Sequence, residues 1–202
     1  MVVQQNRAEA CERFLDAAER LLAEMGWNEV TVRRLATEAG LNHGLVHYYF
    51  GSMEELFVQV LERFTTRLIA RQREMYGAGM SFLEKWRTAI GYLDADQDSG
   101  YQKIWYELQA MAWNRPELRD RVAHVNAEWR AVLTEAFSGA MREYGIDREQ
   151  FPVDAIVALV MTFNEGIMLE RLSGITAGHD DLLQAIDGWL QTLERDQRRR
   201  NR

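Results

Sequence analysis

Two stretches of the chain, one on either side of Gly40, carry apolar residues at the spacing that predicts short helices. Thr31 can cap the first helix by accepting a backbone hydrogen bond, and Gly40 can end it because glycine adopts the left-handed backbone at little cost. The second helix is predicted over residues 43–49, with Asn42 as its cap. The apolar positions of the first helix lie three and four residues apart, at Val32, Leu35, Ala36 and Ala39. This arrangement is typical of a helix-turn-helix, which places its second helix in the DNA major groove.

The second helix is expected to bury one face and to expose the other. Leu45 and Val46 supply the inner face in this interpretation. The outer face then carries His43, Gly44, His47 and Tyr48. A glycine inside a helix costs about 0.5–1 kcal/mol relative to alanine, so close approach of DNA to the backbone would explain Gly44. A generic helical hairpin is the alternative interpretation of the same pattern.

At these positions the chain resembles the N-terminal domain of the TetR family of bacterial regulators. The matching segments are residues 31–36, 39–41, 47–50 and 54–56. The resemblance implies that Thr31, Tyr48 and Tyr49 contact phosphates. It also implies that the residues closest to base edges are Arg33, His43, Gly44 and His47. Together with Arg34 and the cap Asn42, the candidate DNA-binding set is Thr31, Arg33, Arg34, Asn42, His43, Gly44, His47, Tyr48 and Tyr49.

Three positions depart from the usual pattern of that family. Leu45 stands where a small hydroxyl residue is common, and His47 stands where tyrosine is common. Met53 replaces the lysine that usually opens the next helix, which removes an expected phosphate contact.

Helical periodicity continues along the rest of the chain, and no strand pattern is present. Pro116 and Pro152 stand where helices are expected to begin, which is where proline is tolerated. The further helices are predicted over residues 7–25, 52–75, 81–93, 100–114, 116–144, 152–173 and 180–197. The predicted fold is all-α: an N-terminal three-helix helix-turn-helix DNA-binding domain over residues 1–52, followed by a C-terminal helical bundle for ligand binding and dimerisation over residues 53–202.

Charge narrows the kind of nucleic-acid binding that is possible. The 202 residues carry a net charge of −7, which argues against a protein that coats nucleic acid, since that mode needs many cations on phosphates. DNA contact must therefore come from a small surface around Arg33 and Arg34. One cysteine, Cys11, excludes an internal disulfide, and no secretion signal or bilayer-length apolar run is present. We expect a cytoplasmic protein with no membrane partner.

Large aromatic and thioether side chains collect after residue 80 and suit a flat or apolar organic effector. Glu107, Asn164 and Glu165 interrupt apolar runs there, and a carboxylate in such a place needs a ligand donor, a cation or an arginine. For Glu107, an ion pair with Arg87, Arg119 or Arg130 is the competing interpretation. The candidate pocket residues are Trp86, Tyr92, Trp105, Glu107, Leu108, Met111, Trp129, Met161, Asn164, Glu165 and Met168. Filling the core of a helical bundle would explain many of the same residues.

The last two predicted helices carry apolar stripes wide enough for both a core and a partner. The resemblance implies that two such helices from each subunit form a four-helix dimer interface. The candidate interface residues are Ile156, Val160, Phe163, Ile167, Leu182, Ile186, Trp189 and Leu190. A two-fold dimer would match a near-palindromic, double-stranded operator.

Catalytic and metal-binding interpretations have little support. His43 and His47 have the spacing of a metal pair but lack a nearby carboxylate or thiol ligand in sequence. No phosphate-binding glycine loop or nucleophile elbow is present, so no catalytic residue, metal or cofactor is expected. The sequence therefore predicts a dimeric, ligand-responsive DNA-binding regulator, and we expect a repressor. A helical ligand-binding or scaffold protein with little specific DNA binding is the alternative, suggested by Leu45, Met53 and the slightly acidic N-terminal region.

Overall fold

The computed structural model describes residues 2–97 and 99–200, and within these ranges the chain is all-α, as predicted. A one-turn 3₁₀ helix over Trp27–Glu29 follows the first α-helix. The α-helices are α1 (Val2–Met25), α2 (Val32–Ala39), α3 (Gly44–Phe50), α4 (Met53–Gly77), α5 (Phe82–Gln97), α6 (Tyr101–Ala112), α7 (Pro116–Tyr144), α8 (Val153–Leu172) and α9 (His179–Arg200). No strand occurs in the described part of the chain.

Helix boundaries follow the local signals closely in most places. Pro116 is the first residue of α7, and Pro152 immediately precedes α8, so both prolines stand where predicted. Helix α5 is longer than predicted because it continues through Gly91 to Gln97. One internal glycine costs about 1 kcal/mol, which a long helix can tolerate. The chain turns into the next helix at Gly100, whose φ of 78° lies in the left-handed region.

The described helices divide into two compact units. The first comprises Met1–Arg67 and Asp96–Val125, and the second comprises Leu68–Ala95 and Asn126–Arg202. These units are defined by packing and do not coincide with the functional domains expected over residues 1–52 and 53–202, which stay a prediction. The ends of those predicted domains, residues 1, 201 and 202, lie outside the described residues.

Each unit has its own apolar core. In the first unit, Phe14 and Phe57 are among the largest fully buried side chains. In the second, one buried cluster consists of Phe82, Leu83, Ala140, Tyr144 and Leu190. Among the described helices, none combines the length and apolar character that a bilayer crossing requires.

Candidate functional site

Helix α2 begins and ends as its sequence predicts. The Thr31 hydroxyl accepts a hydrogen bond from the backbone N–H of Arg34 at 3.2 Å, which satisfies a donor left open at the start of the helix. Gly40 ends the helix with φ 63° and ψ 37°, and the N–H of Leu41 donates to the carbonyl of Ala36 at 2.9 Å. This left-handed ending sets the direction in which the chain leaves α2 toward α3.

Hydrogen bonds from Arg13 on α1 also stabilise this turn. Its guanidinium donates to the carbonyls of Ala39 at 2.6 Å and Gly40 at 3.1 Å. Cations stabilise the end of a helix where unpaired carbonyls collect. The sequence does not indicate this role, because Arg13 lies 26 residues from Ala39 and no local pattern connects the two.

Helix α3 buries one side and presents the other. Val46 is fully buried, and Phe50 is 6% exposed and meets the ring of Phe14 edge to face at 6.1 Å. The side expected to face outward is exposed at each of its residues: His43, Gly44, His47 and Tyr48. Tyr48 is 73% exposed. The predicted outer face is confirmed, and of the two residues predicted for the inner face Val46 is buried and Leu45 is half-buried.

The start of α3 differs slightly from the prediction. The helix begins at Gly44, so His43 occupies the position expected for Asn42. The Asn42 side chain nevertheless accepts a hydrogen bond from the Gly44 N–H at 2.8 Å. Asn42 therefore satisfies a donor in the first turn from one position earlier than a standard cap.

The two arginines of α2 have different surroundings. Arg34 donates to the carbonyl of Glu29 at 3.1 Å and contacts the sulfur of Met25 at 3.3 Å, so its guanidinium is held against the preceding turn. Arg33 is exposed, and within the described residues its guanidinium has no hydrogen-bonding or ionic partner. Of this pair, Arg33 is the cation available to a ligand without breaking an existing contact.

Two tyrosine side chains are in contact near the end of α3. The rings of Tyr48 and Tyr49 meet edge to face at 5.1 Å, and the guanidinium of Arg7 lies 5.8 Å from the ring centroid of Tyr49. Cations above aromatic rings are attracted to the negative face. These contacts hold the tyrosine pair at the end of the exposed face.

Helix α4 opens with acidic residues next to its positive end. The Ser52 hydroxyl accepts a hydrogen bond from the Glu55 N–H at 3.0 Å, which caps the start of the helix. The pKa of Glu54 is lowered, first by a hydrogen bond from its own backbone N–H and also by its contacts with Arg115. The ion pairs of Arg115 with Glu54 and of Arg121 with Glu55 therefore neutralise the carboxylates next to Met53.

Glu107 has a role that its sequence neighbours do not indicate. Its carboxylate accepts a hydrogen bond from the backbone N–H of Trp27 at 2.9 Å, across 80 residues of sequence. This contact lies in the first unit and joins α6 to the 3₁₀ turn that precedes α2. It is neither the ligand contact nor the ion pair with Arg87, Arg119 or Arg130 that the sequence suggested.

The other candidate pocket residues are divided between the two units. Trp105 and Leu108 are buried in the first unit, with exposed fractions of 6% and 0%, and Met168 is buried in the second. The guanidinium of Arg71 lies over the ring of Tyr92, 4.0 Å from the ring centroid. Half-buried positions are occupied by Met111, Trp129, Met161, Asn164 and Glu165. Their part in effector binding stays a prediction.

A shallow cleft of about 320 Å³ lies in the second unit between α5 and α9. Trp86 is the member of the candidate set that lines it, and the remaining lining residues are Arg87, Ile90, Leu183, Gln184, Asp187, Gly188 and Gln191. Arg87 donates two hydrogen bonds to Asp187, at 2.7 and 2.9 Å. This hydrogen bonding lowers the pKa of Asp187 and raises that of Arg87. Sequence reasoning missed these residues because they lie on helices about 100 positions apart.

The candidate dimer surface needs two corrections. Ile167 and Leu190 are each only 4% exposed within the chain itself, so these side chains are not available to a partner. Leu182 and Trp189 are 45% and 56% exposed. Half-buried positions are held by Ile156, Val160, Phe163 and Ile186. Leu159, a further apolar residue of α8, is 70% exposed. An apolar surface therefore exists on these helices, and the predicted residues other than Ile167 and Leu190 stay candidates for it.

Comparisons with known proteins agree with this architecture. Residues 14–60 match the model of a family described as bacterial regulatory proteins, tetR family. The chain is 28% identical over 154 residues to the HTH-type transcriptional repressor KstR2 of Rhodococcus jostii, covering 74% of this chain and 72% of that protein. It is 24% identical over 185 residues to the HTH-type transcriptional repressor AcnR of Corynebacterium glutamicum, covering 88% and 90%.

A solved structure shows the same fold. The crystal structure of a transcriptional regulator from Saccharomonospora viridis in complex with choline matches with a TM-score of 0.75 at 19% identity, covering 91% of this chain and 96% of that one. The exposed face of α3, the capped turn before it and the matches in sequence and fold agree with one another. Residues 14–60 therefore carry the N-terminal region of the tetR family of bacterial regulatory proteins, and the chain shares its fold with solved TetR-family regulators.

Proposed function

We propose that this regulator is a repressor that binds a near-palindromic operator as a homodimer and is released from it by a small organic effector. The observation that carries the proposal is α3, whose exposed side holds two imidazoles, a glycine and a tyrosine while Val46 and Phe50 anchor the other side. A short helix of this kind fits the major groove. The relatives KstR2 and AcnR are named as repressors, which supports repression.

The proposed DNA contacts divide into two kinds. Thr31, Tyr48 and Tyr49 bind phosphates, which position the protein without selecting a sequence. Arg33, His43, Gly44 and His47 approach base edges, and Asn42 supports the first turn of α3. Arg34 stays in the set as a contact that would have to leave Glu29 to reach DNA.

Each subunit has few cationic side chains for binding DNA, and dimerisation compensates for this small number. The net charge of −7 leaves each subunit with a small DNA-binding surface, so two half-sites bound together are needed for useful affinity. The exposed apolar residues Leu159, Leu182 and Trp189 on α8 and α9 supply the surface for the second subunit. A near-palindromic operator follows from the two-fold symmetry of such a dimer.

Effector binding is proposed for the region after residue 52, in the cytoplasm of the cell. The choline complex of the Saccharomonospora viridis regulator supports a small organic ligand for this fold. The effector would favour an arrangement in which the two recognition helices no longer fit both half-sites. By linkage, operator DNA must then weaken effector binding by the same factor.

The test is selection of genome-derived DNA fragments by the purified protein across a salt series, with sequencing of the retained fragments. We expect one near-palindromic site to be enriched and its retention to fall steeply as salt rises. Retention that is diffuse and lost at low salt would contradict the proposal and favour the helical ligand-binding or scaffold protein.

Tyr48→Phe tests the proposed phosphate contact at a single atom, because it removes the exposed hydroxyl and keeps the ring. We expect affinity to fall by about three- to tenfold for specific and nonspecific DNA alike, since this contact carries no sequence information. Tyr76→Phe is the matched control, because it removes a hydroxyl from the second unit, and it should bind DNA like the parent. Equal affinities for Tyr48→Phe and the parent would remove Tyr48 from the interface.

A further inference from the structure

We propose that His47 selects an amino base, adenine or cytosine, over a keto base, guanine or thymine, at one position of each half-site. The inference rests on the proposed operator binding and deepens it by assigning one residue the chemistry that it recognises. It depends on the hydrogen bond that holds the imidazole ring of His47.

The His47 ring is held against the end of its own helix. Its Nδ1 lies 3.1 Å from the carbonyl oxygen of Gly51, and the Gly51 N–H donates to the His47 carbonyl at 3.0 Å. Gly51 has φ 78°, a backbone conformation that side-chain-bearing residues rarely adopt, and a Cβ added there would meet no atom within 4 Å. The glycine is therefore required by the backbone conformation that presents its carbonyl to the ring.

The partner of Nδ1 determines which nitrogen carries the proton. A carbonyl oxygen can only accept a hydrogen bond, so Nδ1 must be the donor. A neutral imidazole has one N–H, which leaves Nε2 with a lone pair and makes it an acceptor. The side chain is exposed on the outer face of α3, so this acceptor is available to the groove.

An acceptor at a fixed point in the major groove distinguishes two classes of base. Adenine presents its N6 amino group and cytosine its N4 amino group, and both donate. Guanine O6 and thymine O4 are acceptors, and either would face the Nε2 lone pair without a proton between them. A single acceptor therefore separates amino from keto bases but does not separate adenine from cytosine.

His43 provides a comparison on the same helix face. It is also exposed, but within the described residues no hydrogen bond holds its ring. Either nitrogen of His43 can carry the proton, so the ring can donate or accept. We therefore expect the amino-base preference from His47 and not from His43.

The first experiment is selection from a randomised library with four full-length proteins: the parent, His47→Ala, His43→Ala and His47→Arg. The position at which His47→Ala loses preference identifies the base that His47 contacts. At that position the parent should accept both adenine and cytosine on one strand, and prefer them to guanine and thymine on that strand by about five- to tenfold, the low end of the range for one mismatched pair. His43→Ala should keep that preference, because its own effect falls at another position.

His47→Arg is a stricter test than His47→Ala, because the arginine side chain has hydrogen-bond donors and no acceptor. The preference at the same position should therefore invert toward guanine, which accepts at O6 and N7. A parent that accepts A·T and G·C alike at that position, or A·T and T·A alike, would overturn the proposal, because neither pair of choices keeps an amino base on one strand. So would a preference that is unchanged in His47→Ala.

A measurement without DNA tests the premise separately. Two-dimensional ¹H–¹⁵N correlation of the imidazole, assigned by comparison with His47→Ala, distinguishes an Nδ1–H ring from an Nε2–H ring in the free protein. An Nδ1–H ring is expected, and an Nε2–H ring would overturn the proposal even if the protein binds an operator. If the ring is Nδ1–H and no form of the protein enriches any site, the proposed function has failed, and base selection by His47 fails with it.

Discussion

Gly100→Ala tests the close packing of the residue before α6 against α1. Gly100 precedes α6 with φ 78°, and a Cβ added there would lie 2.5 Å from the Cβ and 2.6 Å from the Cα of Ala23. One of these atoms belongs to the α1 backbone, so rotation of a side chain cannot relieve the contact. The start of α6 or the end of α1 would have to move.

The expected cost has two parts that a control can separate. A side-chain-bearing residue in the left-handed region costs about 1–2 kcal/mol. Forcing a methyl group into a packed contact adds about 1–3 kcal/mol. Lower entropy of the unfolded chain returns about 0.4–1 kcal/mol when glycine becomes alanine. From these terms, Gly100→Ala should lower the free energy of unfolding by about 1–5 kcal/mol.

Gly178→Ala is the matched control. Gly178 has nearly the same φ, 79°, but an added Cβ would meet no atom within 4 Å. It therefore carries the backbone cost without the steric cost, and the two variants should differ by about 1–3 kcal/mol.

Urea unfolding of both variants and the parent at one protein concentration measures this difference, because a shared concentration removes the effect of self-association. Variants that agree to within about 0.5 kcal/mol would refute the close approach of Gly100 to Ala23, since additive errors are of that size.

Two further predictions concern carboxylates. Glu107→Ala should lower the free energy of unfolding by about 1–2 kcal/mol, because the partly buried N–H of Trp27 loses its acceptor. Glu107→Gln should retain more than half of this contribution of roughly 1–2 kcal/mol. Equal losses for the two variants in urea unfolding would contradict the hydrogen bond. The hydrogen bond from Arg87 lowers the pKa of the Asp187 carboxyl from its usual 3.8. The stabilisation that this bond gives to the folded state is therefore present above pH 3.8, and it is lost as the pH falls through the lower pKa that Asp187 has in the folded protein. Thermal melts should therefore show a gap between the parent and Asp187→Asn that is constant near neutrality and narrows below pH 3.8; a gap that widens on acidification would contradict this sign.

The DNA-binding part of the fold could be predicted because its determinants are local. The hydroxyl of Thr31 caps a helix that starts one residue later, and Gly40 ends that helix with its own backbone. The outer face of α3 follows from the burial of Val46 and Phe50. In each case the interacting groups lie within a few positions of each other, so the pattern of residue types was enough to predict the local structure.

The contacts of individual polar side chains could not be predicted in the same way. Arg33 and Arg34 are adjacent and chemically identical, yet only Arg34 is held by Glu29 and Met25. Glu107 was assigned to a ligand or an arginine, and its partner is a backbone N–H on a distant turn. Spacing in sequence carries no information about which groups meet across such distances.

The sequence by itself determined that this protein is all-α, with a helix-turn-helix whose caps, turn and exposed face arise from interactions within one or two helical turns. The tertiary structure alone decided which apolar face of α8 and α9 is covered by the chain itself, burying Ile167 and Leu190 while leaving Leu159 and Trp189 exposed. It also placed Gly100 against Ala23 and Glu107 against Trp27. The physical reason is that helical periodicity identifies an apolar face but not its partner, because burial depends on the three-dimensional positions of residues far apart in the chain.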